Sequence, residues 1–154
     1  MKKIVIEQVG NIGMILLFTA AVVDMINRSR IGADGSMQLE FGWIAFAFFI
    51  WLIGFVIIRY LLAHRDRSFN PDAGEFSAAD EREERIADRS VRMSYRFLVV
   101  GLLVSLMIIS VLGIASGMDS RLLAKISVLI SGGLIAIGFV VYLVGWMYFD
   151  RRMG

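Results

Sequence analysis

The sequence predicts an all-α integral membrane protein. It reads as a four-helix bundle of two transmembrane hairpins, with a charged cytoplasmic helix continuous with the third span. Three observations carry this reading. Segments 41–58, 97–118 and 126–149 contain no Asp, Glu, Lys or Arg, and 9–23 is a shorter fourth run; about 20 helical residues cross a bilayer's hydrocarbon core. Hydrophobic residues make up 58% of the chain and the mean hydropathy is +0.72, against roughly 45–50% apolar in an ordinary soluble domain. Finally, charge gathers between the second and third runs, which divides the four into two pairs.

The spans are expected at about 8–27, 41–63, 97–117 and 126–149, with a cytoplasmic arm over 64–96. The 154 residues then form a single membrane domain, because the arm is far short of the about 100 residues a separate soluble domain needs. The first span also has features of a secretory signal: Lys2 and Lys3, the apolar run 12–18, and Thr19-Ala20-Ala21. Glu7 and Asn11 interrupt that pattern, so an uncleaved span is the expectation.

Orientation follows from the basic residues. Four spans place both ends and the arm on one side. That side holds twelve of the 16 Lys and Arg, eight of them between Arg59 and Arg96. The other holds Arg28, Arg30, Arg121 and Lys125. Basic flanks are retained in the cytoplasm, so both termini and the arm are expected there. Trp43, Tyr60, Tyr95, Trp146 and Tyr148 fall at span ends, at head-group depth. Trp51 lies mid-span and serves as lipid-facing bulk or helix packing.

Within the arm, 68–74 reads as a loop and holds the only proline. Ser77-Ala78-Ala79-Asp80 resembles a capping box with Asp as its last residue. Strong helix formers follow, with Glu81–Arg85 and Asp88–Arg92 as i,i+4 pairs. Acids dominate 72–84 and arginines dominate 85–96, an order that suits a helix N-terminus followed by an anionic membrane surface. Arg82, Arg85, Arg89, Arg92 and Arg96 recur at spacings of three and four and form one stripe. The stripe has two readings: a docking strip for an acidic partner, phosphate or anionic lipid, and an ordinary positive-inside flank of snorkelling arginines.

The run Asp80-Glu81-Arg82-Glu83-Glu84-Arg85-Ile86, set just before a transmembrane hairpin, resembles small uncharacterised prokaryotic four-span membrane proteins with an Asp-Glu-Arg-rich helix before the third span. The resemblance covers the four-span layout and these seven residues. It implies an accessory or regulatory membrane protein of unknown activity and brings no catalytic residues with it; the size of the chain is what suggests a prokaryotic plasma (inner) membrane.

Ionisable groups inside spans are functional suspects. Asp24 lies near the outer end of span one, where it reads as a snorkelling cap paired with Arg28 in preference to an ion-coupling site. Glu7 and Asn11 share a face near the inner end. The centres of spans two, three and four carry no charge. Gly117, Ala124, Ser131, Gly138 and Gly145 are small and spaced by seven, and Ala87, Ser94, Gly101 and Ala115 follow the same register, with Ile108 as its exception. Small residues let membrane helices approach closely, so Gly101, Gly117, Ala124, Ser131, Gly138 and Gly145 are expected to form a packing seam between spans three and four. Gly132–Ala136 and Gly101–Ser105 are further small-xxx-small pairs, suited to a dimer.

The chain has no cysteine and one histidine, His64, which excludes disulfides, thiolate metal sites and His-pair metal sites. No Walker loop, zinc motif or nucleophile elbow occurs, so no cofactor, metal or catalytic residue is assigned and no nucleic acid is expected as a partner. The expected function is that of a non-enzymatic membrane protein that binds or regulates a partner through its charged helix. The alternative is a small homo-oligomeric transporter or channel. Membrane lipids, a protein partner and a second copy of the chain are the partners these readings imply.

Overall fold

The computed structural model describes residues 2–31, 36–65, 80–115 and 117–153. Four helices dominate: α1 (Lys2–Arg28), α2 (Trp43–Arg65), α3 (Glu81–Ala115) and α4 (Ser120–Met153). Each is long and apolar enough to cross a membrane. Between α1 and α2, two-residue strands β1 (Arg30–Ile31) and β2 (Met37–Gln38) pair antiparallel, with Arg30 opposite Gln38.

The charged helix and the third span are one element. α3 has 35 residues, about 52 Å at 1.5 Å per residue, against a hydrocarbon core of about 30 Å. Its first turns therefore stand clear of the apolar layer. Asp80 caps it: the Glu83 N–H donates to Asp80 Oδ1 at 2.7 Å, and the Glu84 N–H donates to the Asp80 carbonyl. The sequence pattern makes Asp80 the last residue of a capping box begun by Ser77; α3 instead starts after Asp80, which is itself the cap, and 77–79 lie outside the described residues. At the other end, α3 and α4 are joined through Gly117, whose φ of +54° is the left-handed conformation that glycine adopts without a Cβ clash.

Successive helices are antiparallel, and they pack in the order α2, α1, α4, α3. α1 and α4 form the middle of the bundle. Among the described residues α2 packs mainly on α1 and α3 mainly on α4. Lys2, Arg65, Glu81 and Met153 lie at one end, called here the terminal end; Arg28, Trp43, Ala115 and Ser120 lie at the far end.

Burial runs opposite to that of a soluble protein. Among the most buried residues are Lys3, Glu7, Gln8, Ser90, Ser94 and Ser105, while Ile50, Met107 and Ile114 are 71%, 71% and 87% exposed. An apolar surface of this extent is an aggregation hazard in water and the expected outer face of a helix bundle in lipid.

Two seams position the helices. Between α1 and α2, the Phe55 ring lies over Gly10 and the Trp51 ring over Gly13; Trp51 Nε1 donates to the Gly10 carbonyl at 3.2 Å. Trp51 is thus a packing residue of this hairpin. Between α3 and α4, Gly101 meets Leu134 and Gly138 meets Leu98. Ser94 Oγ donates to the Gly138 carbonyl at 2.8 Å, an approach that a larger side chain at 138 would block. Gly132 and Ala136 face inward within the chain, with Gly132 against Thr19 of α1. Trp146 has the depth expected of an interfacial ring, but only 3% of it is exposed. It packs with Ile4, Ile86 and Tyr142 in the apolar cluster at the terminal end.

Candidate functional site

Polar and charged side chains converge at the terminal end. Lys3, Glu7 and Asn11 recur every four residues on α1, which puts them on one face, and Gln8 lies beside them. This face turns inward: Lys3 is 5% exposed, Glu7 2% and Gln8 0%. Burying charge in an apolar setting is costly unless it is paired, and partners arrive from two other helices. Arg59 of α2 places Nε 2.8 Å from Glu7 Oε1, with its guanidinium 5.9 Å above the Phe55 ring. Lys3 Nζ donates to Glu83 Oε2 of α3 at 2.8 Å. α1 is therefore bridged to both outer helices at this end.

The charged half of α3 is seated on the same foundation. Ile86, Ala87 and Ser90 are buried, with Ile86 against Ile4, Tyr142 and Trp146. Gly145 of α4 allows this approach, since a Cβ there would stand 2.8 Å from Met93 Cε and 3.6 Å from the Ser90 backbone. Ser90 satisfies its hydroxyl locally, donating to the Ile86 carbonyl.

The arginine stripe divides according to partner. Arg82 Nη2 donates to both the carbonyl and Oδ1 of Asp150 at the end of α4, at 2.9 and 2.8 Å. Arg85 pairs loosely with Glu81 (3.4 Å) and Arg92 with Asp88 (3.6 Å), all four residues well exposed. Arg89 lies over the Phe149 ring at 5.9 Å. Arg89, Arg92 and Arg96, with Met93 and Phe149, line an open cleft of about 490 Å³ between α3 and α4.

The small residues spaced by seven divide as well. Gly101, Gly138 and Gly145 face α3–α4 contacts. Gly117 does not; it forms the turn between those helices, with nothing within contact range of a Cβ. Ala124 and Ser131 are exposed and line grooves on the α1 side of α4. A straight α-helix drifts about 20° per heptad, so a row that faces α3 at Gly145 has rotated toward α1 by Ala124. His64 is exposed at the end of α2, and Asp24 pairs with Arg28, each oxygen 3.0 Å from Nε.

The bridges from Lys3 to Glu83 and from Glu7 to Arg59 go beyond what the sequence reading assigned. Their trace was the four-residue spacing of Lys3, Glu7 and Asn11 within an apolar helix. Among the described residues, no three His, Cys, Asp or Glu side chains gather in a way that would hold a metal ion. The terminal end thus combines an ion-paired interior, a braced charged helix and an arginine-lined cleft at its edge.

No curated protein and no solved structure matches this chain. A family model described as "Predicted membrane protein (DUF2178)" matches residues 7–153, nearly the whole of the four-helix unit. The chain, with its four helices long and apolar enough to cross a membrane, belongs to this family of predicted membrane proteins.

Proposed function

We propose that this chain is a non-enzymatic accessory or regulatory membrane protein that binds a protein partner through the outer face of its charged helix, on the cytoplasmic side. The observation that carries the reading is how that helix is held. One side of it is fixed by Ile86, Ala87 and Ser90 and by the bridges Lys3–Glu83 and Arg82–Asp150. On the opposite side Glu81, Arg85, Asp88 and Arg92 are 90%, 69%, 67% and 72% exposed. A helix already fixed in place loses little entropy on docking. Its exposed i,i+4 pairs are worth at most about 1 kcal/mol, so they exchange readily for a partner's charges and confer specificity more than affinity. The twelve-to-four division of basic residues supports a cytoplasmic location for this face.

A photo-crosslinking residue at Glu84 in native membranes tests the reading, with Ile114 as the lipid-facing control. One protein adduct, stoichiometric with the chain, is expected from position 84 and absent from 114. It should vanish when Arg85→Glu and Asp88→Arg are combined, which preserves net charge and inverts its pattern. Adducts only with a second copy of this chain would transfer support to the homo-oligomeric transporter or channel. No adduct from 84 would end the partner reading.

A further inference from the structure

We propose that the cleft between α3 and α4 binds one anionic phospholipid. Its phosphate is held by Arg89 and Arg96, and its acyl chains lie along Val100, Leu103 and Met107. The proposal goes beyond the protein partner and does not depend on it. Arg82 is engaged with Asp150, Arg85 faces Glu81, and Arg92 faces Asp88. Arg89 and Arg96 have no carboxylate partner among the described residues. The reason lies in the sequence: from Arg89 onward α3 contains no acid, and the one acid of α4, Asp150, is taken by Arg82. Among the described residues, positive charge without a carboxylate partner therefore collects at the cleft, and guanidinium forks match the geometry of a phosphate.

Two features select a lipid over a free anion. First, the cleft has an apolar wall. Met93 and Phe149 line it beside the three arginines, and the Arg82–Asp150 bond holds the end of α4 so that Phe149 stays beside Arg89. Second, its depth is right. Arg96 is the last charge before the apolar run, and Arg89 stands about 10 Å above it on the helix. Continuing the stripe from Arg96 at spacings of four, three and four gives Val100, Leu103 and Met107, which are 61%, 60% and 71% exposed. One helix face thus presents cations followed directly by an apolar track. A zwitterionic lipid would bring its own ammonium against three arginines, so the charge favours a head group with net negative charge.

The test uses the purified full chain in neutral detergent, with bound lipid counted by native mass spectrometry and affinity read by titration. The probes are phosphatidylglycerol, phosphatidylcholine and chainless glycerol phosphate. One phosphatidylglycerol per chain is expected, bound at least about tenfold more tightly than phosphatidylcholine. Loss of a hydrogen bond to a charged group corresponds to about tenfold in affinity, so R89Q combined with R96Q should weaken phosphatidylglycerol by that factor or more. R89K with R96K should weaken it severalfold, and R121Q at the far end should leave it unchanged. Equal affinity for the two lipids overturns the proposal, as does full retention in either double variant. Glycerol phosphate binding as tightly as phosphatidylglycerol overturns the chain track and with it the lipid assignment. Circular dichroism and monodispersity report folding of the variants. If the Gln pair misfolds, the Lys pair and the two-lipid comparison on the unaltered chain still decide.

Discussion

α1 carries an acid near each end, and the two are treated differently. Glu7, 2% exposed, reaches across to Arg59 of α2. Asp24, 16% exposed, closes on Arg28 one turn along its own helix. The first contact pairs one helix with another, whereas the second is an ion pair within α1 that meets the rest of the chain only by packing against Gly42. The same contrast extends through the bundle. At the terminal end, Lys3–Glu83 and Arg82–Asp150 join three helices. At the far end the helices are joined by short connections, the two-residue ladder and the Gly117 turn. The lesson is that relative helix placement is set from the terminal end, where the charged helix and the arginine cleft also lie.

The largest effect that tests this asymmetry is expected at Glu7. Removing one partner of a buried ion pair leaves an uncompensated charge, at a cost of roughly 3–5 kcal/mol. Glu7→Ala should therefore markedly lower unfolding stability in mixed micelles titrated with dodecyl sulfate. Glu7→Ala combined with Arg59→Met removes both charges and should recover much of the loss. Recovery would identify the pair, rather than the shape of Glu7, as the source of the effect. A single variant as stable as the unaltered chain would dissolve the contrast between the ends.

The α3–α4 hairpin is close-packed except near the far end. A Cβ at Gly101, Gly138 or Gly145 would stand under 3 Å from Leu134, Leu98 or Met93; at Gly113, near the far end, the nearest atom is Leu123 Cδ2 at an ordinary 3.5 Å. Overpacking a tight site costs about 1–3 kcal/mol. Gly138→Leu should fall in that range or above it, since it also crowds the carbonyl that accepts from Ser94. Ser131→Leu, on an exposed position, should be close to neutral. Gly113→Ala should be neutral or stabilising, because Ala is favoured over Gly in a helix by up to about 1 kcal/mol. The same micelle titration ranks the three, and an effect at Gly113 as large as that at Gly138 would mean an evenly tight seam.

Much of this architecture is legible in the sequence, for identifiable reasons. Uncharged runs reveal spans because lipid tolerates little else. The continuity of the charged helix with the third span is legible because no proline or loop-forming cluster interrupts 81–115. The pairing of Asp24 with Arg28 is legible because it is local. What the sequence hides is register between helices. Periodicity assigns Lys3 and Glu7 to one face of α1, but nothing in it says that Arg59 and Glu83 arrive opposite them. Trp146 illustrates the same gap: its depth follows from the hydropathy, while its inward direction depends on α1 and α3 closing over it. The seam was half legible, since a strict seven-residue row drifts on a straight helix and α4 has neighbours on two sides. The division of the arginine stripe depends on Asp150, which lies 68 residues from Arg82.

The smallest expected effect is at the far end and concerns Asp24. Its carboxylate receives Arg28 Nε at 3.0 Å on both oxygens, a geometry that on its own would suggest a strong bond. Three facts reduce its worth. Arg28 is 45% exposed, so water already solvates the cation. The pair is i,i+4, and such exposed pairs contribute about 0.3–0.5 kcal/mol. Asn in place of Asp keeps the size and an acceptor oxygen, so packing against Gly42, which the carboxylate crowds, is preserved. Asp24→Asn should therefore shift stability by less than about 1 kcal/mol, and raising salt should erase part of even that difference. Gly42→Ala should cost more than Asp24→Asn, because its Cβ would collide with both Asp24 and Arg28. That ordering separates crowding from charge as the constraint at this end. If Asp24→Asn instead matched Glu7→Ala, the far end would be held by electrostatics as strongly as the terminal end, and the contrast between the two ends would be lost.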